Sequence, residues 1–298
     1  MADIAEQDLQ ATIRVWDQAA WSLAALALTA RGDGRPELTA AAKELLAAAG
    51  LTAGPGMPLP GLDIATSGQI ASQAAAALHQ ASVLAGGRGY EWGTQSNEAL
   101  VAQGRVSAQR AVSVARFMLP MMGDLADRLA APGARLLDVG TGTGALAVAF
   151  AQVFPQVHVL GIDILDRALG LARQAIAASD AGARVTVRKQ DMADFADDAG
   201  FDLAWLPAPF IAEPALHAGL PRVVAALRPG GWLIVGHGKF GGTPTEDALT
   251  RLKTLAYGGT LLNDAAACHL LHKAGLTSVR TVPTPPGAPA ITIGQNPA

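Results

Sequence analysis

Apolar residues in the first 130 positions recur at intervals of three and four, the spacing that places them on one face of an α-helix. The clearest stripe consists of Ile13, Trp16, Ala20, Leu23 and Ala27. Similar patterns predict further helices over residues 37–49, 67–84 and 97 to about 130. Between them, the segment GPGMPLPG at 54–61 contains too much proline and glycine for a helix or a strand interior and predicts a linker. Residues 1–130 are therefore expected to form a helical region.

The pattern changes after residue 132 to short, continuous apolar runs that alternate with helical segments. Such runs are typical of strands that are buried on both faces of a parallel sheet. The predicted strands are 135–139, 157–162, 185–188, 201–206 and 231–235. The chain ends with two further β-prone runs, 279–282 and 290–294, and the proline-rich turn between them predicts an antiparallel hairpin at the sheet edge. Residues 131–298 are thus expected to form an α/β domain.

Composition narrows the functional classes. The 298 residues carry a net charge of −3, so the basic excess typical of a nucleic-acid-binding protein is missing. The single cysteine, Cys268, excludes an internal disulfide. The N-terminal segment is acidic, unlike a secretory signal. The most apolar stretch, 19–30, is shorter than the roughly 20 residues of a membrane span. We expect a soluble, cytoplasmic protein with neither a membrane nor a nucleic-acid partner.

A glycine-rich segment, DVGTGTGA at 138–145, follows the first strand and opens a helix. Glycines allow sharp turns and close approach of a ligand to the backbone. The N-terminus of the following helix attracts anionic groups. The segment predicts a site for a nucleotide-like ligand, and a purely structural strand-to-helix turn is the alternative.

Three acidic residues refine this prediction. Asp163 ends the second strand about twenty residues beyond the glycines, where an acid accepts hydrogen bonds from a ribose. Asp191 can bind an adenine amino group, and the following Met192 can cover the adenine ring. For Asp163 and for Asp191, capping of a helix or loop is the alternative role. Asp138 directly precedes the first glycine. The loop satisfies the dinucleotide-binding pattern G-x-G-x-x-G/A, but the carboxylate of Asp138 would repel the pyrophosphate of NAD. The same carboxylate would attract the ammonium group of S-adenosylmethionine.

The arrangement resembles the class I S-adenosylmethionine-dependent methyltransferases, and in particular those that act on small molecules. Five segments match the motifs of that family in order: LLDVGTGTGAL (136–146), GIDI (161–164), KQDMADF (189–195), FDLAWLPAPF (201–210) and LRPGGWL (227–233). The resemblance implies a Rossmann-like seven-strand sheet in the order 3-2-1-4-5-7-6, with strand 7 antiparallel. It also implies S-adenosylmethionine as the cofactor and S-adenosylhomocysteine as the product. The implied cofactor-binding residues are Asp138, Gly140, Thr141, Gly142, Gly144, Asp163, Ile164, Asp191, Met192, Leu206 and Pro207.

The methyl acceptor of this family lies at the ends of strands 4 and 5, beneath a variable cap. Methylases of amino groups on DNA bases or glutamine carry N/D-P-P-Y/F after strand 4, and here the first position is the apolar Leu206. Phe210, together with Tyr90 and Trp92 in the glycine-rich segment 86–93, is a candidate for binding a planar substrate. The helical region is expected to act as a cap, to form a homodimer, or both.

A general base for methyl transfer would most often be a histidine. His237, directly after strand 5, is the first candidate, and Glu213 and His79 are the others. The H-D/x-W-x-D segment of plant-type O-methyltransferases is absent. Cys268 and His272 alone are too few ligands for zinc, and no metal is expected.

The lead hypothesis is methyl transfer to oxygen, nitrogen or carbon of a small, planar or hydrophobic metabolite, as in secondary metabolism. A protein or tRNA acceptor is the second hypothesis, and a regulatory module without transfer is the third. An NAD-dependent oxidoreductase is the fourth, disfavoured by Asp138 and by LRPGG at 227–231.

Overall fold

A computed structural model describes residues 2–31, 35–50, 64–87, 89, 91–197, 200–284 and 288–297. The chain forms two compact units, Met1–Gly86 and Gly87–Ala298. The predicted linker at 54–61 and the candidate Tyr90 lie outside the described residues. None of the helices in the described ranges is long and apolar enough to cross a membrane.

The described residues of the first unit form three helices: α1 (Ala2–Arg31), α2 (Pro36–Ala48) and α3 (Ile64–Ala85). The helix α1 packs against both others. Small side chains of α1, such as Ala25 and Ala27, share a core with Leu46 of α2. The stripe that predicted α1 is only partly buried, because Ile13 and Trp16 remain 50% and 64% exposed.

The second unit contains seven helices in the part of the chain that the structure describes. They are α4 (Asn97–Ser113), α5 (Leu125–Ala130), α6 (Ala145–Val153), α7 (Asp166–Ala177), α8 (Glu213–Ala225), α9 (Pro244–Ala256) and α10 (Asp264–Lys273). Its strands are β1 (Arg135–Val139), β2 (His158–Asp163), β3 (Val185–Lys189), β4 (Phe201–Pro207), β5 (Leu227–His237), β6 (Thr277–Val282) and β7 (Ala290–Gln295). The helix α4 belongs to this unit although it lies within the predicted helical region, because it packs on α6.

The seven strands form one sheet in the order β3-β2-β1-β4-β5-β7-β6. Strands β1 to β5 pair in parallel, and β7 is antiparallel to both β5 and β6. The predicted fold class, strand order and terminal hairpin are therefore confirmed. Strand β5 begins at Leu227, four residues before the predicted start at residue 231, because Leu227 already pairs with Phe201 of β4. Pro229 and Gly230 lie in the irregular stretch that follows, where the pairing with β4 shifts register.

Helices cover both faces of this sheet, as the continuous apolar runs predicted. Leu136 and Leu137 are adjacent in β1 and point to opposite faces, as neighbours in a strand do. Leu136 shares a core with Phe150 of α6, and Leu137 shares the opposite core with Leu220 of α8 and Leu271 of α10. The carboxyl ends of the parallel strands meet at one edge, where open α/β sheets bind their ligands.

Candidate active site

A cavity of about 400 Å³ lies at the carboxyl ends of β1, β2 and β4 and is flanked by α4. Most of the predicted cofactor residues contribute to its wall: Asp138, Gly140, Thr141, Gly142, Asp163, Ile164, Asp191, Met192 and Pro207. The predicted substrate residues Trp92 and Phe210 line the same cavity. The structure thus brings together in one space residues that lie up to 118 positions apart in the chain.

The glycine-rich segment forms the base of the cavity. Gly140 and Gly142 have φ angles of 67° and 55°, a left-handed backbone that favours glycine. A Cβ added to Gly142 would meet no protein atom within 4 Å, so the backbone is open to close approach. Gly144 has a different role: it precedes α6 outside the described lining, and an added Cβ would lie 3.0 Å from Ala172 of α7.

Asp138 is a buried acid at the end of β1, with 1% of its surface exposed. Its Oδ2 accepts a hydrogen bond from the Thr141 hydroxyl at 2.7 Å. Burial raises the pKa of Asp138 to about 7, although the Thr141 hydrogen bond opposes this change. A buried carboxylate of this kind suits a cationic ligand, because the cation stabilises the ionised form.

Asp163 connects the end of β2 to the glycine-rich segment. Its Oδ2 accepts the N–H of Gly142 at 2.8 Å, and its Oδ1 accepts the N–H of Leu165 at 2.9 Å. Burial raises the pKa of Asp163, and the backbone hydrogen bonds oppose this rise. Each carboxylate oxygen has a second lone pair, so the same carboxyl group can also accept hydrogen bonds from a diol.

Asp191 and Met192 form another part of the wall after β3. Asp191 Oδ1 caps a short 3₁₀ turn by accepting the N–H of Ala193 at 2.8 Å, so the capping role considered for this acid is present. Met192 is buried, and Gly219 of α8 packs so closely on it that an added Cβ would lie 2.7 Å from its side chain. Together with the exposed Ile164, Met192 gives the wall an apolar surface for a ring.

An aromatic cluster flanks the cavity beyond the end of β4. The ring centroids of Trp92 and Phe210 lie 5.4 Å apart, nearly edge to face, and those of Phe210 and Tyr257 lie 5.2 Å apart in a stacked arrangement. Trp92 and Phe210 both line the cavity. These side chains form an apolar, aromatic part of the wall beside the polar glycine-rich end.

Comparison with known proteins identifies the same region of the chain. Residues 136–231 match a model of a methyltransferase domain. Release factor glutamine methyltransferases of Rhodopirellula baltica and Xylella fastidiosa are 35% identical over 115 residues and 31% identical over 191 residues. These alignments cover 38% and 55% of this chain, and 38% and 60% of the relatives. The chain therefore spans less than two thirds of the length of these curated relatives.

Solved structures share the fold over nearly the whole chain. The mitomycin 7-O-methyltransferase MmcR superimposes with a TM-score of 0.65 at 17% identity, covering 99% of this chain and all of that one. An O-methyltransferase family protein from Burkholderia thailandensis superimposes with a TM-score of 0.61 at 17% identity, covering 100% of this chain and 99% of that one. At this level of identity the likeness establishes the fold.

Residues 136–231 carry the methyltransferase domain that the family model describes, and the sheet that contains them has the fold of the class I S-adenosylmethionine-dependent methyltransferases. S-adenosylmethionine is the cofactor, and the donor set of the cavity fits it. The buried carboxyl of Asp138 complements an ammonium group, the open backbone at Gly142 leaves room for close approach, and Asp163 complements a diol. One of the structures that share this methyltransferase fold, PigF, contains S-adenosylhomocysteine.

The structure places His237 inside the sheet rather than along the described wall of the methyltransferase cavity. Its side chain is fully buried, with Nε2 2.8 Å from the Thr292 hydroxyl and Nδ1 3.0 Å from the Gly238 carbonyl oxygen. Burial lowers the pKa of His237. These contacts favour a structural role, because the ring ties β5 to β7 and both nitrogens have partners.

We therefore expect His237→Leu to lower stability without weakening cofactor binding. The variant removes a buried hydrogen-bond partner of Thr292 and should cost about 1–3 kcal/mol of unfolding free energy. Urea titration with and without S-adenosylhomocysteine measures both effects. The control is His158→Leu at the exposed start of β2, which should change stability by less than about 0.5 kcal/mol. Loss of turnover at unchanged stability would instead indicate a catalytic histidine.

The remaining candidates lie in different surroundings. Glu213 begins α8 and is largely exposed, and its Oε1 lies 3.7 Å from His217 Nε2. His79 belongs to α3 in the first unit. Leu206 is completely buried beneath the methyltransferase cavity wall, in the core shared with α8. Within the described residues, no group of three or more histidine, cysteine, aspartate or glutamate side chains is placed to hold a metal ion.

Several cavity residues were not predicted as site residues from the sequence. Trp205 in β4 lines the methyltransferase cavity, as do Gln103, Ser107 and Arg110 on one face of α4. The polar residues of α4 recur at intervals of four and three within a half-buried helix. This spacing is the signal that could have identified them.

Proposed function

We propose that the protein transfers the methyl group of S-adenosylmethionine to a small, planar and hydrophobic acceptor, such as a secondary metabolite. The observation that carries this proposal is the continuity of the cavity. One space joins the acids and glycines of the cofactor motifs to the aromatic side chains of Trp92 and Phe210. A planar acceptor held against these rings would lie next to the methionine end of the cofactor.

The cofactor roles follow from the contacts of each residue. Asp138 binds the ammonium group, and the backbone of Gly140 and Gly142 with the N-terminus of α6 binds the methionine carboxylate. Asp163 binds the ribose diol. Asp191 and Met192 bind the adenine, by a hydrogen bond and by apolar contact.

The chemistry places modest demands on the protein. When bound, the cofactor supplies an electrophilic methyl group on a sulfonium. The protein aligns the acceptor and keeps the site dry, which supplies most of the rate enhancement for an in-line displacement. Trp92, Phe210 and Pro207 are suited to this task because they are apolar or rigid and line the cavity together.

A protein glutamine acceptor is the second candidate, supported by the names of two of the curated relatives. The loop after β4 argues against it. Methylases of amino groups place a hydrogen-bond acceptor at its first position, where this chain has the buried, apolar Leu206. The Leu206 side chain cannot accept a hydrogen bond from an amide nitrogen, so we favour the small acceptor.

Cofactor recognition is tested by titrating the protein with S-adenosylhomocysteine and, separately, with NAD. We expect tight binding of S-adenosylhomocysteine alone. Asp163→Ala should weaken it at least about a hundredfold, because the variant removes the ribose contact and the carboxylate that holds Gly142 and Leu165. The matched control is Asp166→Ala, three residues further on, whose exposed carboxylate pairs only with Lys189 among the described residues.

Acceptor class is tested by labelled methyl transfer. The acceptors are a panel of aromatic metabolites, a release-factor peptide containing glutamine, and bulk tRNA. Transfer to the panel alone supports the proposal, and transfer to the peptide or to tRNA overturns the small-acceptor assignment. Binding of NAD without S-adenosylhomocysteine would overturn the cofactor assignment.

The predicted homodimer is kept as part of the proposal. Along α1, Leu9, Ile13 and Trp16 form an exposed apolar stripe. Exposed stripes of this kind are typical of surfaces between subunits, and a second copy of the chain is the partner that we propose for it.

A further inference from the structure

The helix α4 places a cation in the wall of the cavity that the cofactor motifs do not use. Arg110 and Ser107 lie one turn apart on this helix, and both line the cavity. Among the residues that the structure describes, the Arg110 guanidinium forms neither an ion pair nor a hydrogen bond. Burial lowers the pKa of Arg110, and no neighbouring charge contributes to this change. Arg110 is partly buried. An unpaired guanidinium in a largely apolar wall is suited to an anionic ligand, because attraction between opposite charges is stronger where water is partly excluded.

The acids of the cavity do not provide that anion. Asp163 accepts two backbone N–H groups. Asp138 accepts the Thr141 hydroxyl. Among the described residues, neither carboxyl group forms an ion pair with Arg110.

The position of Arg110 along α4 indicates which part of the cavity wall it forms. Gly104 packs against Thr143 of the glycine-rich segment. Six residues further along, Arg110 lies about 9 Å from that contact, at 1.5 Å per residue. Arg110 and Trp205 of β4 line the same cavity as Phe210. We therefore assign Arg110 to the part of the wall that lies beyond the Thr143 contact, on the side that Trp205 and Phe210 also line.

We propose that Arg110, assisted by the Ser107 hydroxyl, binds a carboxylate of the methyl acceptor, so that the acceptor is an aromatic acid. The inference rests on the proposed function. A guanidinium recognises a carboxylate through paired, charge-assisted hydrogen bonds. On an otherwise apolar and aromatic surface, a single charged contact would fix the orientation of a planar acceptor.

The test uses the full chain saturated with S-adenosylhomocysteine and a panel of probes. The probes are benzoate, 2-naphthoate and anthracene-2-carboxylate, each paired with its neutral amide. Calorimetry compares the wild type with Arg110→Met and with Arg105→Met, which removes an exposed arginine of the same helix. Cofactor affinity is measured separately with S-adenosylhomocysteine and with 5′-methylthioadenosine, which lacks the amino-acid end.

We expect at least one acid to bind the wild type tenfold or more tightly than its amide. Arg110→Met should abolish this preference and Arg105→Met should retain it. Both variants should bind S-adenosylhomocysteine within twofold of the wild type, which also shows that they fold. The proposal is overturned if no acid is preferred over its amide, or if Arg110→Met retains the preference. It is also overturned if Arg110→Met weakens S-adenosylhomocysteine tenfold but leaves 5′-methylthioadenosine unchanged, because Arg110 would then bind the cofactor carboxylate. Failure of the wild type to bind S-adenosylhomocysteine would instead refute the proposed function.

Discussion

Asp138→Asn is expected to stabilise the cofactor-free protein at pH 8 and to weaken S-adenosylhomocysteine binding by about 10- to 100-fold. Both effects have the same cause, since Asp138 forms no ion pair with any described residue and burial raises its pKa to about 7. Ionisation of this carboxyl group therefore opposes folding but prepares the site for an ammonium group. A charge-assisted hydrogen bond of about 1.5–3 kcal/mol is lost in the variant, which gives the expected loss of affinity.

The pH dependence has a defined sign. An acid whose pKa is higher in the folded than in the unfolded state lowers stability as pH rises through the interval between the two values. For Asp138 this interval runs from about 4, the unfolded value, to about 7. The full difference is worth up to about 4 kcal/mol. We expect a smaller net gain for asparagine, about 1–3 kcal/mol at pH 8, because its amide N–H groups also need partners.

Two titrations measure these effects. Urea unfolding of the cofactor-free proteins should show the stability advantage of Asp138→Asn increasing from pH 5 to pH 8. Calorimetry should show wild-type affinity for S-adenosylhomocysteine increasing between pH 6 and pH 8 relative to the variant. Thr141→Val is the companion variant: it removes the hydrogen bond to Asp138 and should move this rise to higher pH. A stability difference that does not change with pH would contradict the raised pKa, and unchanged affinity would contradict the ammonium contact.

Local signals in the sequence were sufficient to predict the sheet and the meeting of the cofactor-motif residues in one cavity. Each strand from β1 to β4 is a short apolar run that ends in a turn, and parallel strands bring such ends to one edge. Asp138, Asp163 and Asp191 each follow or end one of the first three strands, so their meeting in one cavity could be predicted. The parallel arrangement of β1, β2 and β3 is sufficient to place these three acids at the same edge of the sheet.

The position of His237 could not be read in this way. It also ends a parallel strand, which suggested a place in the active site. However, Gly236 and His237 pair with Ile291 and Ala290 of the antiparallel β7. The end of β5 therefore stays inside the sheet. That pairing joins residues more than fifty positions apart, and no local pattern around His237 indicates it.

The contribution of α4 depends on one close contact with the glycine-rich segment. The sequence predicted this helix and its cap, and Ser96 indeed accepts the N–H of Ala99 at 3.2 Å. It did not predict that Gly104 lies against Thr143, since both residues fit ordinary local patterns. Because Gly104 lacks a side chain, α4 approaches the cavity closely enough for Ser107 and Arg110 to line it.

Gly104→Ala is consequently expected to destabilise the protein and to weaken cofactor binding. The added Cβ would overlap Thr143 Oγ1 and lie 3.3 Å from the Ala145 side chain. Overpacking of this kind costs about 1–3 kcal/mol, which exceeds the gain of up to about 1 kcal/mol from replacing a helical glycine. Since Thr143 lies in the wall of the cavity, its displacement should also lower affinity for S-adenosylhomocysteine by about tenfold, equivalent to 1.4 kcal/mol.

A double-mutant cycle separates this contact from general effects of the substitution. Thr143→Ala removes the overlapping hydroxyl, and the remaining Cβ of residue 143 would lie 3.5 Å from the new methyl group. Combined with Gly104→Ala, it should restore both stability and affinity, with a coupling free energy of about 1–3 kcal/mol. Gly170→Ala in α7 meets no atom within 4 Å and should stabilise the protein slightly through helix propensity alone. Additive effects of Gly104→Ala and Thr143→Ala would mean that α4 does not pack on the glycine-rich segment. They would also contradict our explanation of how Arg110 comes to line the cavity.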